Sequence, residues 1–502
     1  MLLALTLCST VVGASLRGKS IYFVMLDRFA RSPSSPDASA CSGKLWCGGT
    51  FRGLQSQLDY IAGMGFDCVW ITPVVKQISG TSCNHQGYCG TGFHGYWAED
   101  WWSIDPHLGT PADLLSLSRA LHARQMCLVL DVVVNHVRPI HSSSDVVAVS
   151  PFNSTLHYHT LQATPGESFD AYAADPVPAD PTHGCALGEE SCAGYDSTAV
   201  LDGWFADLGD LRQEDPYVAA TLLQWARQMV ATYAVDALRL DTAAYVPAAF
   251  LSSLQSAAAV DILGEVTTAN VSFHAAYQRS LRGLLNFPLA TAIPPAFCSS
   301  SPDLRALAAV ATQQAAAAYA SLDLLANFAD NHDLPRLSRT CAAAAVPHAL
   351  AFVMLHRGVP VVYYGTEQGF AQQDARTSLW QTRFRTDTRL YALLAALSAV
   401  RREVRALPLA RAAFLHADRS SLVFSRGEGA FVFLNNHHRE EHTPRRYCLP
   451  PPARLPPLPP EGRVWVEALS GREAVFDREA NCLLAPTSAP QVLVLRENAS
   501  HA

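Results

Sequence analysis

Three carboxylates close apolar runs in this chain. Asp241 ends Val235-Asp-Ala-Leu-Arg-Leu-Asp241, Glu265 lies in Asp261-Ile-Leu-Gly-Glu-Val266, and Asp333 ends Asn327-Phe-Ala-Asp-Asn-His-Asp333. An acid placed beside aliphatic residues costs free energy, so its repeated placement there needs a reason. Cleaving an acetal between sugars supplies one. It needs an acid for the leaving oxygen and a carboxylate to meet the oxocarbenium-like centre. Arg239 stands two residues before Asp241, on the same side of a strand, where its charge would keep Asp241 ionised. Glu265 beside Val266 has the apolar setting that raises a carboxyl pKa and keeps a proton available. His332-Asp333 and His136 add strand-end groups suited to sugar hydroxyls. Singly, each group has a structural explanation as an ion pair or loop contact. Their recurrence at successive strand ends points to a site.

The elements that would position them alternate. Strand-like runs fall at 21–26, 68–72, 127–134, 237–240, 262–266, 284–287, 324–328 and 359–364, with amphipathic stretches such as 114–126, 217–233 and 304–320 between them. Eight strands with intervening helices predict an α/β protein built on a (β/α)8 TIM barrel, whose loops after the strands carry chemistry. A doubly wound open sheet is the alternative, but no Gly-x-Gly-x-x-Gly follows the first strand. After the third strand comes a polar connection of about eighty residues, long enough to be a functional excursion or small domain. Beyond a helix at 390–402, short alternating strands at 422–425, 430–435, 464–467 and 492–495 predict a separate antiparallel β-domain.

The 502 residues are 49% hydrophobic and 16% charged with a formal charge of −7, which suits a globular protein and excludes nucleic acid or an anionic membrane as main partner. Residues 1–14 form an uncharged apolar run ending in small residues, too short to span a bilayer and similar to a secretory signal; a buried N-terminal strand is the alternative. A secreted, extracellular chain follows, and nothing suggests more than a monomer. Close cysteine pairs 41/47, 83/89 and 185/192, and the distant pair 448/482, read as disulfides rather than zinc sites, while Cys68 and Cys127, inside strands, read as free core thiols. Asn153, Asn270 and Asn498 head glycosylation sequons.

A family resemblance rests on ordered motifs: Ile21-Tyr-Phe-Val-Met-Leu-Asp-Arg-Phe-Ala-Arg31, Cys47-Gly-Gly-Thr-Phe51, 58–66, Trp70-Ile-Thr-Pro-Val74, His94-Gly-Tyr-Trp97, 131–136, 237–241, Gly264-Glu265, 328–333 and 358–368. Over nearly the whole chain they resemble the α-amylase family of glycoside hydrolases, most closely the fungal-type secreted enzymes. The resemblance implies an endo-acting α-1,4-glucan hydrolase acting with retention. Asp241 would be the nucleophile, Glu265 the general acid/base and Asp333 the transition-state stabiliser. Arg239 would tune Asp241, His136 and His332 would bond the sugar at the cleavage site, and Tyr96 would stack on it. Trp97, Asp374 and Arg376 would contact donor-side sugars. The substrate partner would be starch-like glucan.

The same resemblance implies a structural Ca2+ held by Asn135, Glu190, Asp207 and the carbonyl of Tyr245; Asp207 could otherwise be an ordinary helix-approach cap. It divides the chain into a signal at 1–14, a barrel domain A at 15–136 and 207–405, an inserted domain B at 137–206 after strand 3, and a C-terminal β-sandwich domain C at 406–497. One departure stands out. Where these α-amylases carry Lys-His after the nucleophile, this chain has Ala244-Tyr245. A glucanotransferase or exo-acting α-glucosidase is therefore the alternative within the family. A non-catalytic glucan-binding protein is the alternative outside catalysis, against which the complete set of three acids speaks.

Overall fold

The structure is a computed structural model that describes residues 15–32, 43–83, 87, 89–161, 166–179, 185–405, 412–427, 429–436, 444–449, 454–461, 463–486 and 489–497. The signal-like run 1–14, Cys41 and Asn498 lie outside them. Eight parallel strands close a barrel: β1 Ile21–Val24, β2 Cys68–Ile71, β3 Cys127–Val132, β4 Ala237–Leu240, β5 Asp261–Gly264, β6 Gly283–Leu285, β7 Leu325–Asn327 and β8 Val359–Tyr363, each paired with its sequence neighbours and β8 with β1. Both faces of these strands are covered, which is why they read as continuous apolar runs rather than alternating ones. The strand starts fall where the sequence predicts them to within one residue. Gly358 leads into β8 with φ +118°, and a Cβ there would run into the backbone carbonyl of Leu325.

The helices begin where capping chemistry is available. Helix α1, Pro111–His122, opens on a Thr110/Asp113 capping box with proline at its first position, and α2, Pro216–Tyr233, is capped by Asp215. Farther on lie α3 Ala248–Ala258, α4 Leu304–Ala316, α5 Val346–Leu355 and α6 Arg389–Arg405.

Between β3 and α2 the chain makes its long excursion. Its two ends are tied by an antiparallel pair, His136–Pro139 with Leu208–Asp210, in which His136 faces Asp210. Trp204, fully buried against Tyr158, Phe169 and Tyr172, anchors the excursion in the main core that it shares with the barrel.

The C-terminal region forms a six-stranded antiparallel sheet and a three-stranded one. Strand alternation sends Leu422, Phe424, Val432, Leu434, Val492 and Val494 to the main core with the barrel. Val423, Phe431, Phe433 and Leu493 face a second core with Tyr447, Trp465 and Leu483. The edge strand Ala412–Ala417 and the whole three-stranded sheet were not among the strands read from the sequence.

One cysteine expectation is overturned. Cys68 and Cys127 are not free thiols: the β2–β3 register places them opposite each other, and they are joined with Cα atoms 4.3 Å apart. Disulfides also join Cys83–Cys89, Cys185–Cys192 and Cys448–Cys482, as expected, and Cys298–Cys341, which sequence reasoning missed. Among the described residues no helix is long and apolar enough to cross a membrane.

Candidate active site

The parallel register sets Asp131 on β3 directly beside Arg239 on β4. The buried Arg239 guanidinium is the hub of the site. Its Nη1 donates to Asp131 Oδ1 at 2.8 Å and to Asp241 Oδ1 at 2.7 Å, while Nη2 lies 2.7 Å from Glu265 Oε2. Three buried carboxylates thus share one cation, and full ionisation would leave two uncompensated negative charges in a low-dielectric setting. The system holds protons instead. Burial pushes Asp131 up to about 7 and Glu265 up to about 8, with Arg239 opposing the shift and Asp241 adding to it in both cases.

Further donors fix the carboxylates. The Tyr96 hydroxyl donates to Asp131 Oδ2 at 2.9 Å and Trp70 Nε1 to the same oxygen at 3.1 Å. Thr242 holds a left-handed backbone, φ 47°, unusual for a β-branched residue. From there its N–H reaches Glu265 Oε2 at 2.9 Å and its hydroxyl lies 3.3 Å from Asp241 Oδ2.

Asp333 faces the opening, its side chain 49% exposed. His332 Nε2 is 3.0 Å from Asp333 Oδ2, and Arg376 Nη2 donates to Oδ1 at 3.0 Å. Burial raises the Asp333 carboxyl, but His332 and Arg376 outweigh it and hold the group below the usual carboxylate range. Burial pushes His332 down to about 4 and also lowers His136, so both imidazoles are neutral at neutral pH. Neither ring nitrogen of His136 meets a hydrogen-bond partner within bonding distance among the described residues, although the Tyr96 backbone faces the ring. The Tyr96 ring stacks on His332 with centroids 5.3 Å apart.

Two cavities meet at Tyr96. One, of about 310 Å3, is lined by His136, Asp241, Glu265, His332 and Asp333 and walled by Phe205 and Tyr245, whose rings touch edge-on at 4.4 Å. The other, of about 700 Å3, is lined by Lys44, His94, Trp97, Asp374 and Arg376. All ten residues expected to act on or bind sugar therefore come together. Sequence reasoning assigned no role to Asp131, although it begins the Asp131–His136 motif. A buried acid on the strand neighbouring Arg-x-Asp was the signal available.

The expected calcium donors are less uniformly placed. Asn135 is fully buried with Oδ1 unpartnered, its Nδ2 donating to Asp210 Oδ1 at 2.9 Å. Asp207, also buried, has Oδ2 2.7 Å from His141 Nε2. Glu190 sits exposed near Tyr195 and Tyr277, and no contact joins it to Asn135 or Asp207 among the described residues. The reason is a long-range tether: Thr268 Oγ1 donates to the Leu187 carbonyl and Asn270 Nδ2 to that of Gly188, which pins the stapled loop toward the segment after β5. The orphaned Asn135 oxygen, the Asp207 carboxylate and a backbone carbonyl are hard oxygen donors of the kind calcium takes.

Residues 23–389 match the α-amylase catalytic domain family. The chain belongs to that family. It is 35% identical to an α-amylase 2 of Schwanniomyces occidentalis over 401 residues, covering 78% of this chain and 73% of that one. An α-amylase of Saccharomycopsis fibuligera is 32% identical, over 84% of this chain and 78% of its own. Among solved structures, an α-amylase from Malbranchea cinnamomea superposes with a TM-score of 0.81 at 31% identity, covering 96% of this chain and 97% of that chain. One from Geobacillus thermoleovorans, complexed with acarbose, gives 0.75 at 25% identity over 97% and 100%. This is an enzyme, an α-amylase-type glycoside hydrolase, and the α-amylase fold accounts for its barrel.

Proposed function

We propose that this α-amylase is a secreted, calcium-binding, endo-acting enzyme that hydrolyses internal α-1,4 bonds of starch or glycogen with retention of configuration. The observation that carries the reading is the Arg239 fork, which holds Asp241 on one nitrogen and Glu265 on the other at 2.7 Å each. Two carboxyls spaced by a single guanidinium suit the short separation of retaining glycosidases, about 5–5.5 Å, rather than the wider gap that leaves room for water.

In the proposed mechanism Asp241, tied to Arg239, attacks the anomeric carbon. Glu265, whose proton is held up to about 8, gives that proton to the leaving oxygen and then takes one from the incoming water or sugar. Asp333, kept ionised, accepts from sugar hydroxyls and offsets positive charge at the oxocarbenium-like centre. Neutral His136 and His332 bond the same sugar, and the half-buried Tyr96 ring offers it a face. Trp97, Asp374 and Arg376 line the donor-side cavity, open enough for several glucose units. Phe205 and Tyr245 wall the acceptor side with rings where the usual Lys-His would offer charge, so acceptor sugars would be held by stacking.

A bound calcium would supply positive charge that knits the excursion to the barrel. Asn135, Asp207 and the Tyr245 carbonyl would hold it, with Glu190 completing the set if its loop approaches. Export is supported by five disulfides among the described residues.

The test is the time course of products from soluble starch, with calcium present, for the native enzyme and Asp241→Asn. Early mid-length maltooligosaccharides, reduced at least about 10^3-fold in the variant, support the reading. Glucose alone, or products longer than a supplied oligosaccharide, would instead mean an exo-glucosidase or a glucanotransferase.

A further inference from the structure

His159 lies in the excursion, away from the catalytic groups, and is held unusually firmly. Its backbone N–H donates to the Asp210 carbonyl at 3.1 Å and its own carbonyl accepts from Trp204 Nε1 at 3.0 Å. Its ring Nδ1 is 2.7 Å from Oδ2 of Asp210, a fully buried carboxylate. That contact aims Nε2 at two more acids, Glu214 Oε2 at 3.1 Å and Asp202 Oδ1 at 3.6 Å. One ligand atom from each of His159, Asp202 and Glu214 falls within 4.8 Å of the other two.

Two features distinguish this cluster from a chance gathering of acids. A carboxylate on the far nitrogen of an imidazole is the arrangement that fixes tautomer and direction in metal-binding histidines. The cluster is also richer in acceptors than in donors: Asp202, Asp210 and Glu214 meet one imidazole, whose two nitrogens can donate to at most two of them. The nearby Arg212 is turned to Asp215 at 3.3 Å instead.

We propose that His159 Nε2, Asp202 and Glu214 bind one zinc-class divalent cation, separate from the calcium, that fastens the excursion to the start of α2. An imidazole nitrogen with two carboxylates matches zinc, which takes mixed nitrogen and oxygen ligands, whereas calcium takes oxygens. Glu214 reaches toward solvent and leaves room for a water as fourth ligand. The three residues join separate pieces of chain. His159 lies in mid-excursion, Asp202 ends the short helix Ser197–Asp202, and Glu214 directly precedes the Asp215 cap of α2. Asp210 further connects the cluster to the calcium side, because its Oδ1 accepts from Asn135.

The test uses the whole chain, stripped with chelator, restored with calcium, and titrated with zinc chloride by calorimetry. One equivalent should bind, and millimolar calcium should not displace it. Glu214→Ala, at a half-exposed side chain, and His159→Gln should each weaken zinc at least about 100-fold while the circular dichroism spectrum is unchanged. Should His159→Gln fail to fold, Glu214→Ala decides alone. Zinc-edge absorption should show mixed nitrogen and oxygen ligation at about 2.0–2.2 Å. Absence of stoichiometric zinc, displacement by calcium, or equal affinity in Glu214→Ala would overturn the proposal. None of these readings depends on which bonds the enzyme cleaves.

Discussion

Arg239 Nη2 lies 2.7 Å from Glu265 Oε2, yet the proton affinity of Glu265 is raised rather than lowered. Burial outweighs the attraction of a guanidinium already shared with Asp131 and Asp241. The group is thus protonated at neutral pH and can act as an acid. The alkaline limb of kcat/KM should therefore fall near pH 8, and rate profiles on a soluble maltooligosaccharide check it. A limb below pH 6 would mean that Glu265 is ionised in the free enzyme.

The same shift makes a stability statement. Unfolded Glu265 titrates near 4.5 and the folded group near 8, so between these values the native state binds the extra proton. Stability from this group is complete below pH 4.5 and is lost as pH rises through 8. Glu265→Gln carries no such proton. It should raise Tm by about 2 °C or more at pH 8 and leave it unchanged at pH 4.5, read by calorimetry at both pH values.

Asp131 touches no expected sugar position but takes one bond of the Arg239 fork. Asp131→Asn removes a negative charge from the cluster and lets Arg239 serve Asp241 and Glu265 alone. Glu265 should then ionise more easily, moving the alkaline limb to lower pH. Loosened positioning should cut kcat about 10-fold or more with KM little changed. A loss of kcat with an unmoved pH profile would leave Asp131 a merely structural residue.

Arg376 pulls the Asp333 carboxyl down through a 3.0 Å contact and also donates to the His332 carbonyl at 3.2 Å. Arg376→Ala should let the Asp333 pKa rise, so its ionised form is lost at higher pH on acidification. The acid limb should shift upward, and KM for oligosaccharides should rise because the cavity that Arg376 lines with Trp97 and Asp374 loses a charged wall. Parallel profiles for variant and native enzyme would show that Asp333 does not depend on Arg376.

How much of this was legible in the sequence follows from the reach of each interaction. Barrel strands buried on both faces announce themselves as apolar runs, and the acids at their ends stand out against them, so Asp241, Glu265 and Asp333 were readable. Asp131 stood in plain view but looked like one more motif residue, because its bond to Arg239 depends on the β3–β4 register. The strand Ala412–Ala417 is only partly buried, and its run Ala-Ala-Phe-Leu is half alanine, a poor strand former, which hid it. The displacement of Glu190 depends on two hydrogen bonds from Thr268 and Asn270, about eighty residues downstream, which no local pattern encodes.

The cysteines carry the same lesson and a last prediction. Cys68 and Cys127 each sit in an apolar strand, where a buried thiol is ordinary, and only the pairing of β2 with β3 reveals them as partners. Their bridge closes a loop with a sequence separation of 59, and cross-linking a loop of that length removes entropy from the unfolded chain. The chain-entropy relation gives about 4 kcal/mol for it. Unfolding the enzyme in denaturant without reductant and titrating thiols should find neither Cys68 nor Cys127 reactive. The double variant Cys68→Val, Cys127→Val should unfold at lower denaturant with a steeper dependence on concentration, since its unfolded chain is freer to expand. Alkylation of Cys68 in the unreduced, unfolded protein would show that the two strands carry thiols after all.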